Sequence, residues 1–131
     1  MFETEILEAI RNANDDGTQL NRIVDEFRSG RDIGDLRVLL YSRSPEVLSI
    51  AAWMLGELHF ELYNTGSVIA RLRELLDHHD PAVRFHALGA IHPSLDKNDP
   101  ESRALLERLR QDPNEGVRMG AEAASRRLLR P

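Results

Sequence analysis

His78, His79 and Asp80 are consecutive, and histidine beside aspartate is the residue mix of a metal site or an acid–base pair. Adjacent side chains in a link rarely converge on one ion, and no further ligand follows at metal-ligand spacing. Asp80 precedes Pro81 and reads instead as a helix cap. His86 and His92 are six residues apart, on different faces of a helix, and His59 stands alone. Serines, histidines and aspartates occur without a Gly-x-Ser-x-Gly elbow, a His-Glu-x-x-His pair or a glycine-rich phosphate loop. The chemistry that remains is recognition. Trp53 is the sole tryptophan, and tryptophan anchors many protein interfaces. Arg84 and Arg118 offer cations, while Glu46, Glu57 and Glu61 offer a carboxylate row. These residues predict a protein with no catalytic residue, no metal and no cofactor.

The totals fit a folded binding module. The chain has 131 residues, 41% of them hydrophobic and 30% charged, which suffices for one domain with a real core. Cysteine is absent, which removes disulfides and thiolate metal sites and fits a reducing cytoplasm. The acidic Met1-Phe2-Glu3-Thr4-Glu5 start has no basic region before an apolar run, so no signal peptide is expected. Apolar runs such as Ile50 to Leu55 fall far short of the roughly 20 residues that span a bilayer, so no membrane is expected. The net charge of −5 argues against nucleic acid, which draws a basic footprint, and favours a basic partner by electrostatic steering.

Helical periodicity runs from end to end. Phe2, Ile6, Leu7 and Ile10 mark a first helix to about Ala13, followed by the turn cluster Asn12 to Gly17. Thr18 is the expected cap of a second helix that carries Leu20, Ile23, Val24 and Phe27 and stops at Ser29-Gly30. Asp32 opens a short helix with Leu36, Leu39 and Leu40. Ser44-Pro45 then starts a helix to about Phe60, and Asp80-Pro81 starts one that ends near His92-Pro93. Between them, Val68, Ile69, Leu72, Leu75 and Leu76 mark another helix. Asp99-Pro100 opens a helix with Leu105, Leu106 and Leu109, and Val117 begins the last, to about Leu129.

The later elements repeat. Leu39, Leu75 and Leu109 correspond, as do Val47, Val83 and Val117, and Ala51, Ala87 and Ala121, at spacings close to 36 and 34 residues. A helical hairpin of this length cannot bury its apolar face alone, so the copies must stack. The expected fold is all-α, a right-handed α–α superhelix of about eight helices in four hairpins. Residues 1–30 would form an N-terminal capping hairpin, and 31–64, 65–98 and 99–131 three repeats, in one domain.

Leu75-Leu76-Asp77-His78-His79-Asp80-Pro81-Ala82-Val83-Arg84, followed by Ala87, resembles the short bacterial form of the HEAT-like repeat family. The family pattern is a helix ending Leu-Leu, a link Asp-x-Asp-Pro-x-Val-Arg, then alanine one turn on. Leu109 to Arg118 with Ala121 follows it, with Asp112-Pro113 displaced by two positions. Leu39 to Val47 with Ala51 departs further, with Ser44 for the aspartate and Leu48 for the arginine. A narrower resemblance, carried by Ser49 to Leu58 and Val83 to Leu88, is to small bacterial HEAT-like proteins that act as immunity partners of secreted toxins. It implies a cytoplasmic monomer that becomes a heterodimer by covering a toxin domain, possessing no chemistry of its own.

In such a stack the second helices line the concave face, so exposed positions there are the expected binding surface. The candidate residues are Ser49, Trp53, Glu57, Phe85, His86, Gly89, Arg118 and Glu122. By the 36-residue spacing Trp53 aligns with Gly89 and Ser49 with Phe85, which predicts Trp53 lying over Gly89 near Phe85. Trp53 then either anchors a partner or fills core space beside a small residue. Arg84 and Arg118 either face an acidic partner or tie a repeat to its neighbour. Two rival readings come from the same resemblance. One is a role related to bilin lyases, which share this repeat class. The other is a nucleic-acid grip, which requires Arg37, Arg71, Arg73, Arg84 and Arg118 to converge on one surface.

Overall fold

A computed structural model describes residues 2–11, 18–58 and 66–128. Among these residues there are eight α-helices, one short 3-10 turn and no strand. The helices are α1 (Phe2–Arg11), α2 (Thr18–Arg28), α3 (Ile33–Leu39), α4 (Pro45–Glu57), α5 (Gly66–Leu75), α6 (Pro81–Ile91), α7 (Pro100–Leu109) and α8 (Glu115–Leu128). The 3-10 turn, His92–Ser94, follows α6 directly. The chain is the all-α stack of helical hairpins that the repeat predicts. No described helix is long and apolar enough to cross a membrane.

Local chemistry starts and stops these helices. Asp32, Ser44, Asp80 and Asp99 each sit in extended backbone and accept a hydrogen bond from a first-turn N–H, at Gly34, Val47, Ala82 and Glu101 respectively. Pro45, Pro81 and Pro100 occupy first-turn positions, where a missing donor costs nothing. After α2, Gly30 takes φ 115°, the one positive φ among the described residues. Its N–H bonds the carbonyl of Phe27 and that of Arg31 bonds Glu26, which closes the helix with a left-handed glycine stop.

Three boundaries differ from expectation. Thr18 is the first residue of α2 rather than a residue before it. The turn cluster 12–17 lies outside the described residues, as do Glu61, Thr65 and Leu129. Helix α4 ends at Glu57, not near Phe60, because Leu58 turns extended (φ −84°, ψ 154°) and buries its side chain. Helix α8 starts at Glu115, two residues before Val117, because its cap is Asn114, whose Oδ1 accepts from Val117 N–H at 3.1 Å.

The repeated positions form the core. Val47, Val83, Val117, Ala51, Ala87 and Ala121 are all fully buried, with Leu39, Leu75 and Leu109 almost so. Alanine at these sites lets neighbouring helices approach closely. The second helices α4, α6 and α8 pack side by side, α4 against α6 most intimately, and each covers the first helix of its own hairpin.

Arg31 joins the first hairpin to the rest. Its guanidinium lies 4.1 Å from the ring centre of Phe2 and 5.2 Å from that of Phe27. The same group meets Glu26 at 2.7 Å, Asp35 at 3.3 Å and Glu5 at 3.9 Å. One cation thus touches α1, α2 and α3 at once.

Candidate protein-binding face

Small residues set the spacing of the second-helix row. A Cβ on Gly56 of α4 would stand 3.7 Å from the backbone of Gly89 and Ala90 on α6, so the two helices nearly touch there. The approach explains the tight α4–α6 seam. It also corrects the expected stacking of Trp53 over Gly89. A Cβ on Gly89 would meet nothing within 4 Å, so no tryptophan ring covers that position. Trp53 is instead partly buried against the core. The physical reason is stagger. Gly56 aligns with His92 by sequence yet packs on Gly89, three residues earlier, a shift of about 4.5 Å along the helix.

The α6–α8 seam is built differently. Phe85 lays its ring edge over Gly120, where a Cβ would be 3.4 Å from the ring and 3.5 Å from Leu88. Beyond this contact the helices part and leave an open cleft of about 250 Å³. Leu88 and Ala124, both buried, form its floor. Phe85, His86 and Gly89 wall it on α6, and Gly120 and Ala123 on α8. His92 and Arg127 stand at its far end. Phe85 keeps 43% of its surface exposed, and Met119 beside Gly120 keeps 63%.

Of the eight candidate residues, the cleft gathers Phe85, His86 and Gly89. Ser49 is buried, which leaves its hydroxyl little to offer a partner. Glu57 and Glu122 are exposed on α4 and α8 without lining the cleft. His92, Gly120, Ala123 and Arg127, which also line the cleft, were not among the candidate binding residues, nor was the exposed Met119. Met119 had a usable signal, since it occupies the repeat position of Phe85 at the 34-residue spacing.

Arg118 lies elsewhere. Its Nη1 donates to the carbonyls of Asp112 and Pro113 at 2.8 and 3.0 Å. Arg84 does the same one repeat earlier, to His78 and His79 at 2.8 and 3.1 Å. Arg84 also reaches the next repeat, where Nε and Nη2 grip the Asp112 carboxylate at 3.0 and 2.9 Å. In the first repeat Leu48 fills this place and is buried. There Arg71, from α5, donates to the Leu40 carbonyl at 2.8 Å and stacks on Tyr41. Arg71 also pairs with Glu74, and Arg73 with Glu101. Four of the five arginines that a nucleic-acid grip would need are therefore engaged within the protein.

The histidines have local roles. His78 Nδ1 accepts from the N–H of Asp80, while Asp80 caps α6 and His78 stacks on His79. Burial, then the charge of His79, pushes His78 below its ordinary value. Among the described residues no three His, Asp or Glu side chains gather as metal ligands. Burial lowers the pKa of His86, and burial with the charge of Arg127 lowers that of His92.

Hairpins stacked through alanine-lined seams, with an open cleft along the row of second helices, define an α-helical repeat protein. The chain belongs to the HEAT-repeat family, whose model matches residues 35–126, from α3 into α8. Comparisons with curated proteins and with solved structures found no match. Repeats of this family generally serve protein–protein contact and are generally non-catalytic.

Proposed function

We propose that this chain binds another protein non-catalytically, through the row formed by α4, α6 and α8. The observation that carries the reading is the α6–α8 cleft with Phe85 exposed in its wall, together with Met119 exposed elsewhere on α8. Large apolar side chains beside an open trough are the usual anchors of an interface, which buries them on binding. The first hairpin closes the stack at one end, and Arg31 fastens it there.

The most concrete form of this function is an immunity protein that neutralises a toxin domain in the cytoplasm by covering its surface, as monomer and then as heterodimer. The resemblance of Ser49 to Leu58 and Val83 to Leu88 supports it, as does the acidic balance, which steers a basic domain towards the chain. Co-expression with a toxin domain encoded beside this chain tests it. A stable one-to-one complex that suppresses toxicity is the expected result. Full toxicity with no complex would remove the immunity reading and leave the binding module.

A further inference from the structure

The cleft is not chemically uniform. Its near end, at Phe85, Gly120 and Ala123, is apolar. Its far end carries Arg127 and His92, and among the described residues no carboxylate lines it. Seven arginines of this chain have carboxylate partners: Arg28, Arg31, Arg71, Arg73, Arg84, Arg108 and Arg110. Arg127 has no such partner among the described residues. Its charge opposes the charging of His92. A neutral imidazole still donates one N–H.

The trough is open over Gly89, where a Cβ would meet nothing within 4 Å. Gly89 and His92 are three residues apart on α6 and its continuation, about 4.5 Å of helix rise. An apolar group and an anion one helical turn apart on a docked segment match that spacing.

We propose that the occupant of this cleft is a protein segment presenting an apolar side chain to the trough over Gly89 and a neighbouring carboxylate to Arg127, with His92 donating beside it. The chain as a whole is acidic, so the cleft is a local exception to its own surface. Overall charge then governs which partner approaches, and the cleft governs which segment seats. The inference rests on the binding reading above and narrows it to one kind of segment.

Selection of a displayed library of short random peptides on the full chain tests it. The expected result is enrichment of peptides that pair Leu, Ile, Met or an aromatic residue with a nearby Asp or Glu. Arg127→Gln should weaken such a peptide about tenfold, the loss of one charge-assisted contact. Gly89→Leu should abolish its binding while the melting temperature holds or rises, because leucine favours a helix more than glycine does and a Cβ there meets nothing within 4 Å. Enriched peptides bearing Lys or Arg, blocked by Gly89→Leu, would overturn the acidic segment and keep the binding face. Acidic peptides indifferent to Gly89→Leu would overturn both the segment and this face. A selection with no consensus overturns the proposal, since a linear segment would then not be what the cleft takes.

Discussion

The guanidinium of Arg84 closes on the carboxylate of Asp112 through two parallel hydrogen bonds, at 3.0 and 2.9 Å, across the boundary between two repeats. Both side chains are largely withdrawn from water, at 13% and 7% exposure. The Asn114 N–H completes the shell of Asp112 at 2.9 Å. Burial alone would raise the pKa of Asp112. The hydrogen bonds from Arg84 and Asn114, with the charges of Arg84 and Arg118, outweigh it and hold the carboxyl below its usual value. Removing one partner strands the other in a dry site. Arg84→Ala or Asp112→Ala should each cost about 3 kcal/mol in urea unfolding, and the double variant should cost less than the sum.

Arg118 makes only the carbonyl half of this contact. Arg118→Ala should therefore cost less than Arg84→Ala, about 1.5 kcal/mol. Equal losses at the two positions would show that the ion pair with Asp112 adds nothing.

Trp53 packs on the buried cluster, partly exposed, and leaves Gly89 uncovered. Trp53→Ala should destabilise by about 3 kcal/mol, the low end for losing a large aromatic, since the ring is only partly buried. Phe85→Ala should do the opposite. Its ring is 43% exposed, so stability should fall by about 1 kcal/mol while partner affinity falls by about 2 kcal/mol or more. Calorimetric titration beside thermal melts separates the two outcomes.

Acid should weaken the fold in two windows. His86 and His92 have folded pKa values below the ordinary 6.5, so the unfolded chain takes up their protons first. Their contribution is complete above pH 6.5 and declines as pH falls from there through the folded values. Asp112 contributes above its ordinary 3.8 and loses that contribution as pH falls through its lower folded value. Urea midpoints measured down from neutral pH should show both declines. His78, whose pKa is lowered too, shares the first window, so replacing His86 and His92 with glutamine should shrink that decline and leave the second.

Arg31→Ala should loosen the first hairpin, since one side chain holds two rings and three carboxylates there. Amide exchange should accelerate across α1 and α2 and stay unchanged in α6 to α8. A uniform rise across the chain would mean that the hairpin opens only with the whole stack.

Much of the stack was legible because repetition states it several times. Val47, Val83 and Val117 fix the register, and Asp80-Pro81 and Asp99-Pro100 fix two helix starts. The third link misled for a definable reason. Asp112-Pro113 looks like a displaced cap, but Asn114 caps α8 and releases Asp112 to receive Arg84. The cleft was harder to foresee. Alignment by number pairs residues along the chain but not in space. The stagger that sets Gly56 on Gly89 is decided by side-chain volume across the seam. Arg127 carried no signal as a site, because arginines in a last helical turn, here Arg126 and Arg127, ordinarily just complement the helix dipole.

The three links satisfy their carbonyls by different routes. Arg84 and Arg118 serve their own links from within, whereas Leu40 depends on Arg71 from the following hairpin because Leu48 stands where those arginines would be. The hairpins are consequently not interchangeable parts. Moving the α3–α4 hairpin to the end of the row would leave the Leu40 carbonyl without its donor, and duplicating it would require a second Arg71 downstream. The order of the modules is written into their junctions, so a lengthened or shuffled version of this chain must be cut between partners that belong together.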